Sequence, residues 1–222
     1  MKTDGVIFDF NGTLFFDSML HAEAWRRFCP ARFGFTPTTE EIRDLYLGQN
    51  NLEILRRLMG NDTPVETLRQ TAYDKEALYR SICRERPEDF HLTRGAEAFF
   101  DTLAEKGVPM FIASGSEYEN FAFYMEEMGL KKWFDWDMIL YDDHTLPGKP
   151  DPAIYFRAAE KIGLPPERLT VFEDSTSGIA AALAAGMKQI FALVPEGDAT
   201  LAGKIGGVTG VIHDFTGAFA LL

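Results

Sequence analysis

The sequence predicts an α/β fold in which a doubly wound, Rossmann-like parallel sheet forms the core and a helical domain is inserted after the first strand. Short apolar segments rich in β-branched and aromatic residues recur along the chain, and helical patterns separate most of them. One interval between such segments is far longer than a crossover needs. The 222 residues, 46% of them apolar, are sufficient for one or two domains with buried cores.

The predicted strands are short apolar segments, and their alternation with helical patterns favours a parallel sheet with right-handed crossovers. Gly107 and Gly129 are stop signals for two of the core helices, and Pro152 suits the first turn of a third. The strands are predicted at 4–9, 109–114, 138–141, 168–173, 189–194 and 210–213, and the core helices at 96–106, 117–129, 151–162 and 177–186.

The long interval between the first two strands shows helical periodicity and is predicted to be an inserted domain. Pro64 suits the first position of its last helix, with Thr63 or Asp62 as the cap. The helices of this domain are predicted at 17–29, 39–46, 51–60 and 64–85. The domain boundaries are predicted at 1–15 and 93–222 for the core and 16–92 for the helical insertion.

Composition excludes several classes of function. A net charge of −12 argues against a nucleic-acid-binding surface, which needs clustered lysine and arginine. Cys29 and Cys83 are too few for a disulfide framework or a thiolate zinc site. The sequence has no apolar run of the roughly 18 residues that a membrane helix requires. We therefore expect a cytoplasmic protein without nucleic-acid or membrane partners, present as a monomer or a weak dimer.

Four motifs place polar residues directly after apolar segments or at a turn. Ligands of parallel α/β sheets gather outside the carboxyl ends of the strands, so these residues are expected to share one site. The motifs are 6–14, where Asp9 meets a glycine turn; 109–116, which contains Ser114; 148–152, which contains Lys149; and 169–179, which contains Glu173 and Asp174.

The four motifs, in this order, resemble those of the haloacid dehalogenase superfamily. An insertion just after the first motif resembles the helical cap of its phosphoglycolate phosphatase and β-phosphoglucomutase branch. The resemblance implies a Mg²⁺-dependent phosphatase that hydrolyses a small phosphorylated metabolite, such as a sugar phosphate or a phosphoglycolate-like compound, through an aspartyl-phosphate. In that branch the cap closes over the site, and 15–17 and 86–93 are the candidate hinges.

The resemblance also implies roles for individual residues. Asp9 is the expected nucleophile, and Ser114 and the amide of Gly115 are expected to bind phosphoryl oxygens. Lys149 would offset the charge of the carboxylates and the phosphate. The expected Mg²⁺ ligands are Asp9, the backbone carbonyl of Asn11 and Asp174, with Glu173 in the metal set through a bound water.

Asn11 departs from the family pattern, which has a second aspartate at this position as the general acid/base. An amide cannot perform that proton transfer, which is worth roughly 100- to 10,000-fold in rate. Three explanations fit the sequence: a slow natural phosphatase, another proton carrier, or an inactivating substitution. Asp17 and His21 are the nearest alternative carriers, although as helix residues they more simply cap the first inserted helix or line the hinge.

The candidate substrate-binding residues of the insertion are His21, Gly48, Gln49 and Asn50. The segment 47–51 resembles the substrate-specificity loop of the cap, in which mutase relatives usually carry basic residues. The amides found here weaken a sugar-phosphate mutase interpretation, which stays an alternative. A dehalogenase would lack the acidic pair at 173–174. A phosphate-binding regulatory protein with negligible turnover is the alternative from outside the enzymes.

Overall fold

The computed structural model describes residues 3–196 and 206–222, which divide into two compact units. One unit consists of Met1–Phe16 and Leu92–Leu222, and the other of Asp17–His91. These divisions fall inside the two predicted hinge segments and one residue from each predicted boundary. Neither the described part of the core unit nor the helical unit has a helix with the length and apolarity of a membrane span.

A six-stranded sheet, parallel throughout, lies in the first unit, which we call the core unit. Its order β3-β2-β1-β4-β5-β6 puts the first strand in the interior, as a doubly wound sheet requires. The predicted α/β class is therefore confirmed. The strands are β1 Gly5–Phe8, β2 Met110–Glu117, β3 Ile139–Asp142, β4 Leu169–Glu173, β5 Gln189–Leu193 and β6 Gly210–Ile212.

The helices divide between the two units. The helical unit contains α1 Ser18–Phe33, α2 Thr39–Glu41, which continues as a π-helix at Ile42–Tyr46, α3 Asn51–Met59 and α4 Val65–Glu85. The core unit contains α5 Ala96–Glu105, α6 Tyr118–Glu127, α7 Ala153–Ile162 and α8 Thr176–Ala184, with 3₁₀ turns at Leu130–Lys132, Trp136–Met138, Pro166–Arg168 and Ala218–Leu221.

The central strand β1 sets the geometry of the site. Phe8, its last residue, pairs in register with Ile112 of β2 and with Phe172 of β4. Because the strands are parallel, the residues that follow these positions emerge at the same edge of the sheet. The next residues with polar side chains on the three strands are Asp9, Ser114 and Glu173, and all three are at least 94% buried.

Two boundaries in the helical unit differ from the predictions. The helix α1 continues through Pro30 to Phe33, although the prediction ended it at residue 29. Its actual end is Gly34, whose left-handed backbone lets its N–H reach the carbonyl of Pro30. Pro64 precedes α4 rather than opening it. Thr63 donates to the carbonyl of Met59, and α4 has no side-chain cap, so the predicted cap at Thr63 or Asp62 is wrong.

Candidate active site

Lys149 is the centre of the polar cluster at the edge of the sheet. Its ammonium donates to Asp9 Oδ1 at 2.6 Å, to Glu173 Oε1 at 2.5 Å and to the carbonyl of Ala113 at 3.3 Å. Burial lowers the pKa of Lys149, but the two carboxylates together raise it well above its ordinary value. Lys149 is therefore a fixed positive charge between a strand-end carboxylate of β1 and one of β4.

Asp9 is enclosed by the first loop and by Lys149. Its backbone N–H donates to the carbonyl of Phe172 at 2.9 Å, which fixes the turn out of β1 against β4. Burial raises the pKa of Asp9 to about 7, even though the ammonium of Lys149 acts in the opposite direction. A further positive charge at this carboxylate would favour its ionised form.

The side chain of Glu173 is surrounded by donors. Oε1 accepts from Lys149 and from the hydroxyl of Tyr155 at 3.2 Å, and Oε2 accepts from the N–H and the hydroxyl of Ser175 at 2.8 and 3.0 Å. Gly178 makes this arrangement possible, because a Cβ there would lie 1.6 Å from Oε1. Because four protein donors already bind its oxygens, Glu173 is better suited to positioning Lys149 than to binding a metal directly.

Asp174 lies beside the first loop and is less buried than Asp9 and Glu173. Its Oδ1 accepts from the hydroxyl of Thr13 at 3.3 Å. Gly12 has φ of +84°, and a Cβ there would lie 2.0 Å from Asp174 Oδ2. The glycine turn therefore brings the backbone of the first motif against this carboxylate, as only glycine can.

The three carboxylates form a site with the chemistry of a hard cation. Asp9, Glu173 and Asp174 offer ligand oxygens that all lie within 4.8 Å of one another. Carboxylate and carbonyl oxygens are the ligands that Mg²⁺ prefers, usually with few carboxylates and several waters. Asp9 and Asp174, with the carbonyl of Asn11 from the same loop, fit such an ion, while Glu173 is already occupied by its four donors.

The carboxamide of Asn11 is held by two hydroxyl groups. Ser116 donates to Asn11 Oδ1 at 2.6 Å, and Asn11 Nδ2 donates to the hydroxyl of Tyr124 at 3.2 Å. The nearby Ser114 is 2% exposed, and its hydroxyl accepts from the N–H of Ser116 at 3.2 Å. Gly115 lies between the two serines at the exposed end of β2.

Sequence reasoning missed three contributors to this cluster. Ser116 stands two residues after Ser114, and the period of a strand would have placed both on one face. Tyr124 and Tyr155 carry only a weak signal, because a tyrosine within an apolar helix pattern is most simply a packing residue. Their hydroxyls have hydrogen-bond partners here, as buried tyrosines usually do.

The other predicted site residues lie in the helical unit. His21 Nε2 is 3.1 Å from Asp17 Oδ2, and the imidazole stacks on Tyr79 with ring centroids 4.0 Å apart. Asp17 makes no side-chain cap to α1, so its predicted capping role is wrong; its carboxylate instead accepts from Tyr79 at 2.9 Å.

The predicted specificity loop precedes α3. Gly48 has φ of +69° in open surroundings, and Gln49 N–H reaches the carbonyl of Tyr46 at 3.4 Å. Asn50 accepts from the N–H of Leu52 at 2.8 Å and so caps α3. One predicted substrate contact therefore also has a local structural role.

Comparisons with known proteins all identify the same family. Residues 3–186 match the model of the haloacid dehalogenase-like hydrolases. The chain is 28% identical over 195 residues to a phosphorylated carbohydrates phosphatase of Thermotoga maritima, with 86% of this chain and 85% of the relative covered. It is 27% identical over 198 residues to the fructose-1-phosphate phosphatase YqaB of Escherichia coli, with 84% and 94% covered.

Solved structures agree. A haloacid dehalogenase hydrolase of family IA, variant 3, from Entamoeba histolytica superposes with a TM-score of 0.87 at 33% identity, covering 97% of this chain and 94% of that one. The chain therefore belongs to the haloacid dehalogenase-like hydrolases.

Proposed function

We propose that this hydrolase is a Mg²⁺-dependent phosphatase of a small phosphorylated metabolite. The observation that supports it is the cluster of three carboxylates, Asp9, Glu173 and Asp174, in which one ammonium, Lys149, contacts the first two. Such an excess of oxygen ligands suits a divalent cation, and cation and lysine together suit the charge of a phosphoryl group. The names of the carbohydrate-phosphate phosphatase relatives favour a sugar phosphate over a phosphoglycolate-like compound.

In the proposed reaction Asp9 attacks phosphorus and the bond from phosphorus to the ester oxygen breaks, which leaves an aspartyl-phosphate. Water then attacks the same phosphorus, the bond to Asp9 breaks, and inorganic phosphate is released. Lys149 and Ser114 bind the phosphoryl oxygens during both steps. When bound, Mg²⁺ would be held by Asp9, Asp174 and the carbonyl of Asn11, and would offset the phosphoryl charge.

Position 11 limits the proposed rate. The departing ester oxygen needs a proton, and an amide that donates to Tyr124 and accepts from Ser116 has none to transfer. In this proposal solvent supplies that proton, so esters with good leaving groups are expected to react fastest. The same observation favours a second candidate, a phosphate-binding protein of negligible turnover.

Phosphate release separates these candidates. The protein is incubated with p-nitrophenyl phosphate and a panel of sugar and carboxylic acid phosphates, once with Mg²⁺ and once with EDTA. Mg²⁺-dependent release, with a phosphoryl group trapped by acid on the peptide that contains Asp9, supports the phosphatase. A rise in melting temperature on adding Mg²⁺ with vanadate, without any release from the panel, identifies the binding protein instead.

A further inference from the structure

The outer edge of the sheet carries a groove that lies apart from the acidic cluster. Strand β3 is the last strand of the sheet on its side, and β2 is its neighbour among the described strands. The backbone groups on the other side of such an edge strand are available to pair with a further chain. A cavity of about 470 Å³, which we call the edge groove, is lined by residues 139–141 of β3 and not by Asp9, Lys149 or Asp174. Its volume is that of a ligand pocket.

Three aromatic side chains form one wall of the edge groove. The rings of Tyr118 and Trp136 stack with centroids 5.1 Å apart, and Tyr141 of β3 meets both rings edge-on at 5.5 and 6.1 Å. Tyr118 is 49% exposed and Trp136 is 38% exposed. Single exposed apolar residues are ordinary on a protein surface, whereas a contiguous exposed patch marks a site of interaction. We call these three residues the aromatic wall.

Two cations of α7 form the other wall, on the opposite face of β3. Leu140 packs against the apolar cluster that includes α7, whereas Tyr141 contacts the first residue of α6, so β3 separates the two walls. Arg157 and Lys161 line the groove four residues apart, on one face of α7. Arg157 Nε is 3.7 Å from Glu160 Oε2, and 52% and 74% of the two side chains are exposed. So loose a surface pair leaves the guanidinium available to an anionic partner.

Two carboxylates also line the groove, and they belong to residues that flank β3. Asp137 lies two residues before the strand, and Asp143 follows it directly. Asp143 Oδ1 accepts from the hydroxyl and the N–H of Thr145 at 2.5 and 2.9 Å, and these hydrogen bonds lower the pKa of Asp143. The two acids are centred on Leu140, so an antiparallel second copy of β3 would bring Asp137 of one chain opposite Asp143 of the other. Like charges in opposite positions are destabilising, which favours a different chain as the occupant.

We propose that the edge groove binds an extended segment of a partner protein, which adds to β3 as a seventh strand. Strand addition supplies main-chain hydrogen bonds, and the two walls supply selectivity because successive side chains of a strand point to opposite faces. The segment alternates apolar or aromatic residues, which face the aromatic wall, with acidic residues, which face Arg157 and Lys161. The net charge of −12 repels an acidic segment elsewhere on the chain, so the two cations also determine where it docks. This docking is independent of the proposed phosphatase activity.

Strand addition is tested with a synthetic peptide and fluorescence anisotropy. The probe is a fluorescein-labelled hexapeptide that alternates phenylalanine with glutamate, and two N-methylated versions each block the N–H groups along one edge of it. We expect saturable binding of the probe, with affinity lowered roughly tenfold or more in one N-methylated version and nearly unchanged in the other, because only one edge of an added strand faces β3. Absence of saturable binding up to about 1 mM probe, or equal effects of the two versions, would overturn strand addition.

Variants of the two walls test the selectivity of the groove. Trp136→Ser should weaken probe binding by about tenfold or more, since it removes an aromatic anchor. Arg157→Met/Lys161→Met should weaken it roughly 3- to 30-fold, the scale of two exposed ion pairs, and should abolish the preference over a probe with lysine in place of glutamate. The matched control Arg69→Met/Lys188→Met removes two exposed cations elsewhere and should leave the affinity unchanged. Equal losses in the two double variants would refute docking at α7.

Two further measurements identify the occupant and its position. In sedimentation without peptide we expect the same behaviour for the native protein and Trp136→Ser; a native dimer that Trp136→Ser dissociates would make a second copy the occupant and overturn the proposal. In amide hydrogen exchange the bound probe should slow exchange at alternate residues of β3, and slowing at the end of β1 instead would place the probe in the acidic cluster and refute the groove. If Trp136→Ser does not fold, Tyr118→Ser, at the more exposed ring of the aromatic wall, replaces it.

Discussion

The two units each bury a lysine, but they balance its charge differently. In the core unit Lys149 faces Asp9 and Glu173, with Asp174 close by, so carboxylates outnumber ammonium groups three to one. In the helical unit Lys75 pairs with Glu76, and the buried carboxylate of Asp17 lies beside the same His21 that Lys75 contacts, so the ratio is two to one. The larger surplus of carboxylates in the core unit suits the binding of another cation, whereas Lys75 and Glu76 already neutralise each other. Charge balance thus distinguishes a cluster suited to binding from one suited to positioning.

The largest effect is expected from the loss of the proposed nucleophile in the core unit, compared with the same change at an aspartate of the helical unit. Asp9→Asn removes the proposed nucleophile and should lower phosphate release by at least about 1,000-fold. Asp17→Asn, a matched change in the helical unit, should retain most activity because the contacts of Asp17 with His21 and Tyr79 lie within the helical unit and not at the proposed nucleophile. Initial rates with Mg²⁺ measure both. Equal losses in the two variants would erase the distinction between the units.

Restoring a carboxylate at position 11 should increase the hydrolytic activity of the core site. Asn11→Asp supplies a general acid/base and should accelerate hydrolysis of alkyl phosphates by roughly 100- to 10,000-fold, with little effect on p-nitrophenyl phosphate. The control Asn61→Asp makes the same chemical change at an exposed turn of the helical unit. The ratio of the two substrates' kcat values is the readout. A uniform acceleration of both esters would rule out rate-limiting proton transfer to the leaving group.

The buried pair of the helical unit should govern stability more than turnover. Lys75→Met strands the Glu76 carboxylate and should lower the free energy of unfolding by about 3–5 kcal/mol, most of which Lys75→Met/Glu76→Gln regains. Lys149→Met should cost less, because Asp9, whose pKa burial raises to about 7, can take up a proton instead. Urea denaturation measures all three. A larger loss of unfolding free energy for Lys149→Met than for Lys75→Met would contradict the assignment of binding to the core cluster and of structural support to the buried pair.

The smallest effect is expected from two glycines with similar backbone angles. Gly48→Ala meets open space, so only the left-handed backbone is penalised, by about 1–2 kcal/mol. Gly12→Ala adds a Cβ at 2.0 Å from Asp174 Oδ2 and must displace that carboxylate. The Mg²⁺ concentration for half-maximal activity should therefore rise in Gly12→Ala alone. An equal rise in both variants would contradict the placement of the metal beside Asp174.

The core was predictable because its signals are local. Runs such as that before Asp9 are apolar on both faces, which only a buried parallel strand explains, and polar residues directly after them share an edge by topology. The resemblance to known motifs then supplied the expected roles of Ser114, Lys149 and Asp174. These patterns could not predict the hydrogen bond from Ser116 to Asn11, which is 105 residues away in sequence. A serine in a strand has many possible partners.

The helical unit was less predictable for a physical reason. Periodicity located its helices, but it assigns charged residues to the solvent face, and Lys75 and Glu76 are adjacent in sequence yet both buried. Their burial depends on His21 and Asn51 from other helices, which no local pattern reveals. The predicted end of α1 was too early because a proline inside a helix is locally unfavourable. At Pro30 the packing of α1 outweighs that local penalty, and the helix continues.

The two hydroxyls that hold Asn11 also bear on the chemical ageing of the protein. An asparagine followed by glycine is prone to lose its amide as ammonia when the glycine nitrogen attacks the side-chain carbonyl, and asparagine is among the thermolabile residues. Here Ser116 and Tyr124 fix the carboxamide, and the N–H of Gly12 is engaged by the carbonyl of Phe15 at 2.7 Å. The folded chain thus protects residue 11, whereas heated or partly unfolded material should deamidate there. Protein that has been unfolded by heat and then refolded is expected to gain hydrolytic activity, in the fraction whose residue 11 has become aspartate rather than isoaspartate.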